Sequence, residues 1–149
     1  MALLTIGKLA KATDVKTPTI RFYEQIGLLP EPERTDSDRR MYGEDAVRRL
    51  AFIKHARQLG FPVEAIRSLL DLAGHPERSC AEANALAQDQ LTAVESKIAQ
   101  LETLRAELRR MVDAGCGAGS IGDCRVIESL SDHGLCAHDH AAPERAVPA

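Results

Sequence analysis

The chain has 149 residues, 44% hydrophobic and 28% charged, with four Cys, no Trp and only 3% aromatics. That is the balance of a soluble globular protein, with no run near the roughly 20 apolar residues that span a bilayer and no aromatic stock for a large substrate pocket. The net charge of -3 hides a division, because residues 1–57 carry 11 Lys and Arg against 8 Asp and Glu while the remainder carries 8 against 14, so a nucleic-acid partner is expected at the front half.

Lys8 and Lys11 interrupt the N-terminal apolar stretch, so a secretion signal is not expected and the protein is read as cytoplasmic. Four cysteines in that compartment point to metal or redox chemistry before structural disulfides.

Thr5 is placed to cap a first helix, with Ile6, Leu9 and Ala10 on one face. Asp14, Val15 and Lys16 form a turn. Thr17-Pro18 then reads as an N-cap followed by proline at the first helical position, with Ile20 inward and Gly27 at the stop. Two short helices around a tight turn make a helix-turn-helix candidate. Leu29-Pro30-Glu31-Pro32 breaks helix, and the basic segment Arg34 to Tyr42 is expected to form a two-stranded wing.

A third helix is expected over 44–58 with Val47, Leu50, Ala51 and Ile53 inward. Pro62 opens a fourth, with Ile66, Leu69 and Leu70 at helical spacing. Ser79-Cys80-Ala81-Glu82 has the pattern of a capping box, with Cys80 as the first residue of the helix that follows. From there to Val112 the chain has neither Gly nor Pro. Leu91, Val94, Ile98, Leu101, Leu108 and Val112 fall on a heptad seam, preceded by Ala87 and interrupted by Arg105. A helix of that length extends about 50 Å and cannot cover its own seam, so dimerisation through this helix is expected.

Beyond Val112 a glycine-rich loop is bracketed by Cys116 and Cys124, a short helix is expected from Arg125, and the tail holds His133, Cys136, His138 and His140. The expected organisation is mainly α: a winged helix-turn-helix domain over 1–75, a dimerisation helix over 76–113, a metal-binding loop and short helix over 114–131, and a flexible tail over 132–149.

Cys116 and Cys124 can turn both sulfurs onto one ion, and Cys80 sits where a helix dipole favours thiolate. One chain cannot join the two ends of the rod, but an antiparallel dimer places Cys80 of one subunit beside Cys116 and Cys124 of the other. His133, Cys136, His138 and His140 are candidates for a secondary metal site. In the front half, Lys16, Thr17, Thr19, Arg21 and Tyr23 on the second helix, with Arg34, Arg39, Arg40 and Tyr42 on the wing, are the candidate contacts to double-stranded DNA. No nucleophile–base pair or nucleotide-binding glycine motif is present, so an enzyme is not expected. A thiol redox switch through Cys116 and Cys124 is the alternative to metal binding, and a cytosolic metal buffer is a further one.

These residues resemble the MerR family of transcription regulators. Thr5-Ile6-Gly7-Lys8-Leu9-Ala10-Lys11 is similar to its first helix. Thr19-Ile20-Arg21-Phe22-Tyr23-Glu24 followed by Gly27-Leu28-Leu29-Pro30 is similar to its recognition-helix signature. Arg39-Arg40-Met41-Tyr42 stands where its wing motif lies, and Ile66-Arg67-Ser68-Leu69-Leu70 where its fourth helix lies. The resemblance implies a homodimer with an antiparallel coiled coil on a palindromic promoter operator, which holds RNA polymerase unproductively until inducer binding distorts the DNA. The two-Cys loop resembles that of the metal-responsive members. Cys80 is similar to the cysteine of the divalent-metal sensors (zinc, cadmium, lead, mercury), where copper(I)-type sensors carry Ser. The loop lacks the additional Cys or His of zinc-type members, so Asp123 or a tail histidine is left to complete the ligand set, and cadmium or lead stands beside zinc as inducer.

Overall fold

In a computed structural model, residues 3–114 and 119–132 are described. They form six α-helices, one 3-10 turn and a two-stranded antiparallel sheet. The described residues divide into two compact units, one running to Leu86 and the other starting at Ala87. The break therefore falls inside a helix.

In the first unit, α1 (Ile6–Thr13) starts where Thr5 accepts the backbone N–H of Lys8 at 3.4 Å, and it ends at Asp14 in the left-handed region, φ 53°. α2 (Thr17–Gln25) differs from expectation at its start. Thr17 is already helical, and Lys16 stands at the N-cap without a side-chain hydrogen bond. The chain leaves α2 through Gly27 at φ 75°, a conformation a side chain resists. β1 (Glu33–Arg34) and β2 (Arg40–Met41) form the expected wing, with Glu33 opposite Met41 and Arg34 opposite Arg40. Its loop turns through Asp38 at φ 62°, where Arg39 donates its N–H to the Thr35 hydroxyl at 3.2 Å. The wing is anchored further by a bridge between Leu4 and Tyr42, each donating an N–H to the other's carbonyl at 2.8 Å. Pairing across so many residues has no local signature.

α3 (Glu44–Gln58) has the expected limits, and α4 (Val63–Ala73) follows with Pro62 at its N-cap. α1 packs on α2 and on α3, and α3 on α4. Leu9, Ile20, Leu28, Leu50, Ile53 and Ile66 are fully buried at the centre of this unit. Ala51, expected inward, is exposed, and Ala56 lies in the core instead. Burial of an apolar side chain on α3 removes it from water only where a neighbouring helix is present.

α5 (Ala81–Asp113) is a single helix of 33 residues. The expected capping box is not formed. The Ser79 hydroxyl accepts from Ala81 N–H at 3.2 Å rather than from residue 82, and Glu82 turns to Arg78 at 3.0 Å. Cys80 precedes the helix rather than opening it, its carbonyl accepting the Asn84 N–H at 2.9 Å. Along the seam Leu91, Val94, Ile98, Leu101, Leu108 and Val112 are all exposed. A 3-10 turn over Ile121–Asp123, not expected from the sequence, leads into α6 (Arg125–Ser131). Among the described residues no helix is long and apolar enough to cross a membrane.

Candidate functional site

Three cations from α3 and α4 hold the ends of the two leading helices. Arg49 Nε donates to the Leu28 carbonyl at 2.8 Å, and Arg67 donates to the Ile26 carbonyl at 2.9 Å. Lys54 donates to the Asp14 carbonyl and carboxylate, each at 3.0 Å. The last carbonyls of a helix lack intrahelical donors, and a cation there also complements the helix dipole. α2 is thereby clamped at its exit, and the turn before it at its entry.

With α2 held, its exposed side carries Pro18, Arg21, Phe22 and Gln25, at spacings of three and four. Lys16 is exposed, and Thr17 and Thr19 are half-buried at the entry to α2. On the wing Arg39 is exposed, and Arg34 reaches Asp38 at 3.1 Å, which holds its head at the loop. Lys16, Arg21, Arg34 and Arg39 are thus disposed on the surface of one compact unit, where cationic groups neutralise phosphate. Phe22, 46% exposed beside Arg21, is an outward aromatic that charges and hydroxyls alone do not single out. Its signal was its place between Ile20 and Tyr23, both of which turn inward.

Two expected contacts need correction. Tyr42 is 2% exposed and donates its hydroxyl to Glu24 Oε1, so it is a core residue and its hydroxyl is already committed. Burial and the Glu24 carboxylate push its phenol well above the ordinary tyrosine value, because both disfavour a phenolate. Tyr23 is 3% exposed, with its ring centroid 6.0 Å from that of Phe22, and is likewise part of the core. Glu24 was not anticipated. Its side chain is 6% exposed, and besides Tyr42 it faces Arg40 Nε at 3.6 Å. Its signal was a carboxylate three residues after Arg21 on the same helix, but its partners on the wing are revealed only by the fold.

The thiols are less closely assembled. Cys80 is exposed and free. Cys124 is half-buried at the N-cap of α6. Asp123 accepts the Ser120 hydroxyl at 3.3 Å. Cys116 lies outside the described residues, as do His133, Cys136, His138 and His140. Among the described residues, no three His, Cys, Asp or Glu side chains gather closely enough to hold a metal ion.

Comparison with known proteins places these features in a family. The family model described as MerR HTH family regulatory protein matches residues 4–73, and the model described as MerR, DNA binding matches residues 47–111. The HTH-type transcriptional regulator ZntR of Escherichia coli (strain K12) is 42% identical over 127 residues, covering 84% of this chain and 90% of its own. The mercuric resistance operon regulatory protein of Serratia marcescens is 40% identical over 127 residues, covering 85% and 87%. Among solved structures, the transcription regulator PbrR691 from Ralstonia metallidurans CH34 in complex with lead(II) superposes with a TM-score of 0.73. It is 37% identical, covering 85% of this chain and 98% of that one.

Proposed function

Because the chain belongs to the MerR family of helix-turn-helix regulatory proteins, we propose that it is a metal-responsive transcription regulator acting in the cytoplasm. It works as a homodimer that binds a palindromic promoter operator and activates transcription through RNA polymerase by distorting the DNA when a divalent soft metal ion binds. Family members are DNA-binding regulators rather than enzymes. The relatives that respond to mercury by name, or hold lead in a solved structure, support a soft inducing ion.

The DNA is held by Lys16, Thr17, Thr19 and Arg21 around α2 and by Arg34, Arg39 and Arg40 on the wing. The metal ligands are Cys80 from one subunit and Cys116 and Cys124 from the other, with Asp123 or a tail histidine available to complete the set. Thiolates are soft donors, and three or four ligands suit zinc, cadmium, lead or mercury better than the linear two-thiolate arrangement of copper(I). A bound ion supplies a link between the start of α5 in one subunit and the thiol loop of its partner. Cys80, exposed on the approach to α5, then shifts with that loop, and the shift is transmitted to the DNA-binding units. Such a switch requires that the ion bind the two dimer conformations with different affinity.

The observation that carries this reading is the uncovered apolar seam of α5 between Cys80 and the thiol loop. A second copy laid antiparallel covers the seam and brings the two thiol groups to the same end. The test is chelator competition by the reduced, purified protein for Zn(II), Cd(II), Pb(II), Hg(II) and Cu(I), with wild type and Cys80→Ser side by side. Tight divalent binding that collapses in the variant is expected. Copper(I) preference with an indifferent variant refutes the shared site, and the absence of tight binding turns the reading to a thiol redox switch.

A further inference from the structure

Glu24 sits on the helix expected to approach DNA, where a carboxylate would repel phosphate. Its side chain is nevertheless 6% exposed, and each of its oxygens is engaged. Oε1 accepts the Tyr42 hydroxyl, and Oε2 faces Arg40 Nε at 3.6 Å. That Nε is itself buried without a hydrogen-bond partner, so the carboxylate is what compensates its charge. The Arg40 side chain is 34% exposed, and it makes no side-chain hydrogen bond among the described residues. Its inner edge is therefore ion-paired with Glu24 while its outer edge is unspent. Arg21, Arg34 and Arg40 border one cavity of about 300 Å³ between α2 and the wing, and Glu24 and Glu31 line it with them. Arg34 is already tied to Asp38, whereas Arg21 forms no ion pair among the described residues.

We propose that Glu24 is a positioning residue for DNA binding, holding Arg40 so that its outer guanidinium edge, together with Arg21, seats one DNA phosphate in this cleft. The arrangement suits that ligand. A guanidinium is a rigid fork of donors matched to phosphate oxygens, and fixing one edge beforehand lowers the ordering cost when the other edge binds. Glu24 also joins α2 to the wing, so the phosphate seat has the same geometry in every copy. This inference rests on the DNA-binding reading above and adds to it the division between a residue that touches phosphate and one that aims it.

The experiment is fluorescence anisotropy with a random-sequence 30-bp duplex, titrated between about 50 and 200 mM salt, for wild type, Arg40→Gln, Glu24→Gln and the double variant. For wild type, affinity falls steeply with salt. Arg40→Gln is expected to weaken binding on any sequence and to lower the slope of log affinity against log salt by about one for each phosphate no longer neutralised. Glu24→Gln, although it removes a negative charge, is expected to weaken binding and lower the slope likewise. Adding Arg40→Gln to it changes little further. A Glu24→Gln protein that loses thermal stability but keeps the wild-type slope, or in which Arg40→Gln has its full effect, overturns the positioning role. Should Glu24→Gln fail to fold, an Arg40→Gln slope equal to wild type overturns the phosphate seat. A wild-type protein with no salt-dependent duplex binding removes the DNA-binding reading itself, an outcome distinct from the others.

Discussion

Replacing Ile98 and Leu101 together by alanine tests the role of α5 where its seam is central. The two side chains are 50% and 63% exposed in the single chain, so half or more of each remains to be covered by a partner. Full burial of such a side chain is worth about 1.5–3 kcal/mol, so the uncovered part is worth about 1 kcal/mol. A dimer contains two copies of each residue, and truncating all four side chains costs about 4 kcal/mol, or about a thousandfold in the dissociation constant. Alanine is at least as good a helix former as either residue, so α5 keeps its helicity and circular dichroism serves as the control. Sedimentation equilibrium over a wide concentration range measures the effect directly. A wild-type dimer and a variant that dissociates at about thousandfold higher concentration is the expected result. Unchanged association with unchanged helicity refutes the seam as the interface, because no other apolar surface of α5 approaches it in extent.

Further outcomes follow from the first unit. Burial and Glu24 raise the Tyr42 phenol above its unfolded value, so the neutral phenol's contribution to stability is complete below about pH 10 and is lost as pH climbs from there toward the folded value. Urea unfolding at a series of pH values from neutrality into that range should show wild type losing this increment while Tyr42→Phe, less stable at neutral pH, declines less; parallel curves contradict the burial argument. Arg21→Ala should weaken operator binding with a shallower salt dependence while the metal stoichiometry of the dimer stays the same. Equal loss of both properties argues against separate DNA and metal functions.

Much of this architecture was legible locally. The helix limits of α3 follow from Gly43 before it and Gly60 after it, and the long helix α5 follows from 33 residues without Gly or Pro. The wing was legible as one polar, basic segment from Arg34 to Tyr42 after the helix-breaking prolines, and the signature residues of α2 and the wing pointed to the MerR family, which the relatives bear out. The thiol spacing suggested metal, but Cys116 and the tail ligands lie outside the described residues.

The assignment of roles within α2 and the wing was not legible. Tyr23 and Tyr42 look in sequence like hydroxyl donors to phosphate, yet tertiary packing places both rings in the core and gives the Tyr42 hydroxyl to Glu24. Glu24 and Arg40 meet only because the wing folds back on α2, bringing together groups that are far apart along the chain. The same is true of the Leu4–Tyr42 bridge and of Lys54, Arg49 and Arg67, whose targets are carbonyls at the ends of other helices. Periodicity, caps and breakers are properties of neighbouring residues, so the sequence by itself determined which segments are helical, where they stop and which face of α5 is apolar. Burial and charge pairing depend on which surfaces meet, so only the tertiary structure decided which tyrosines are core, which arginines remain available to phosphate and which carboxylate orders them.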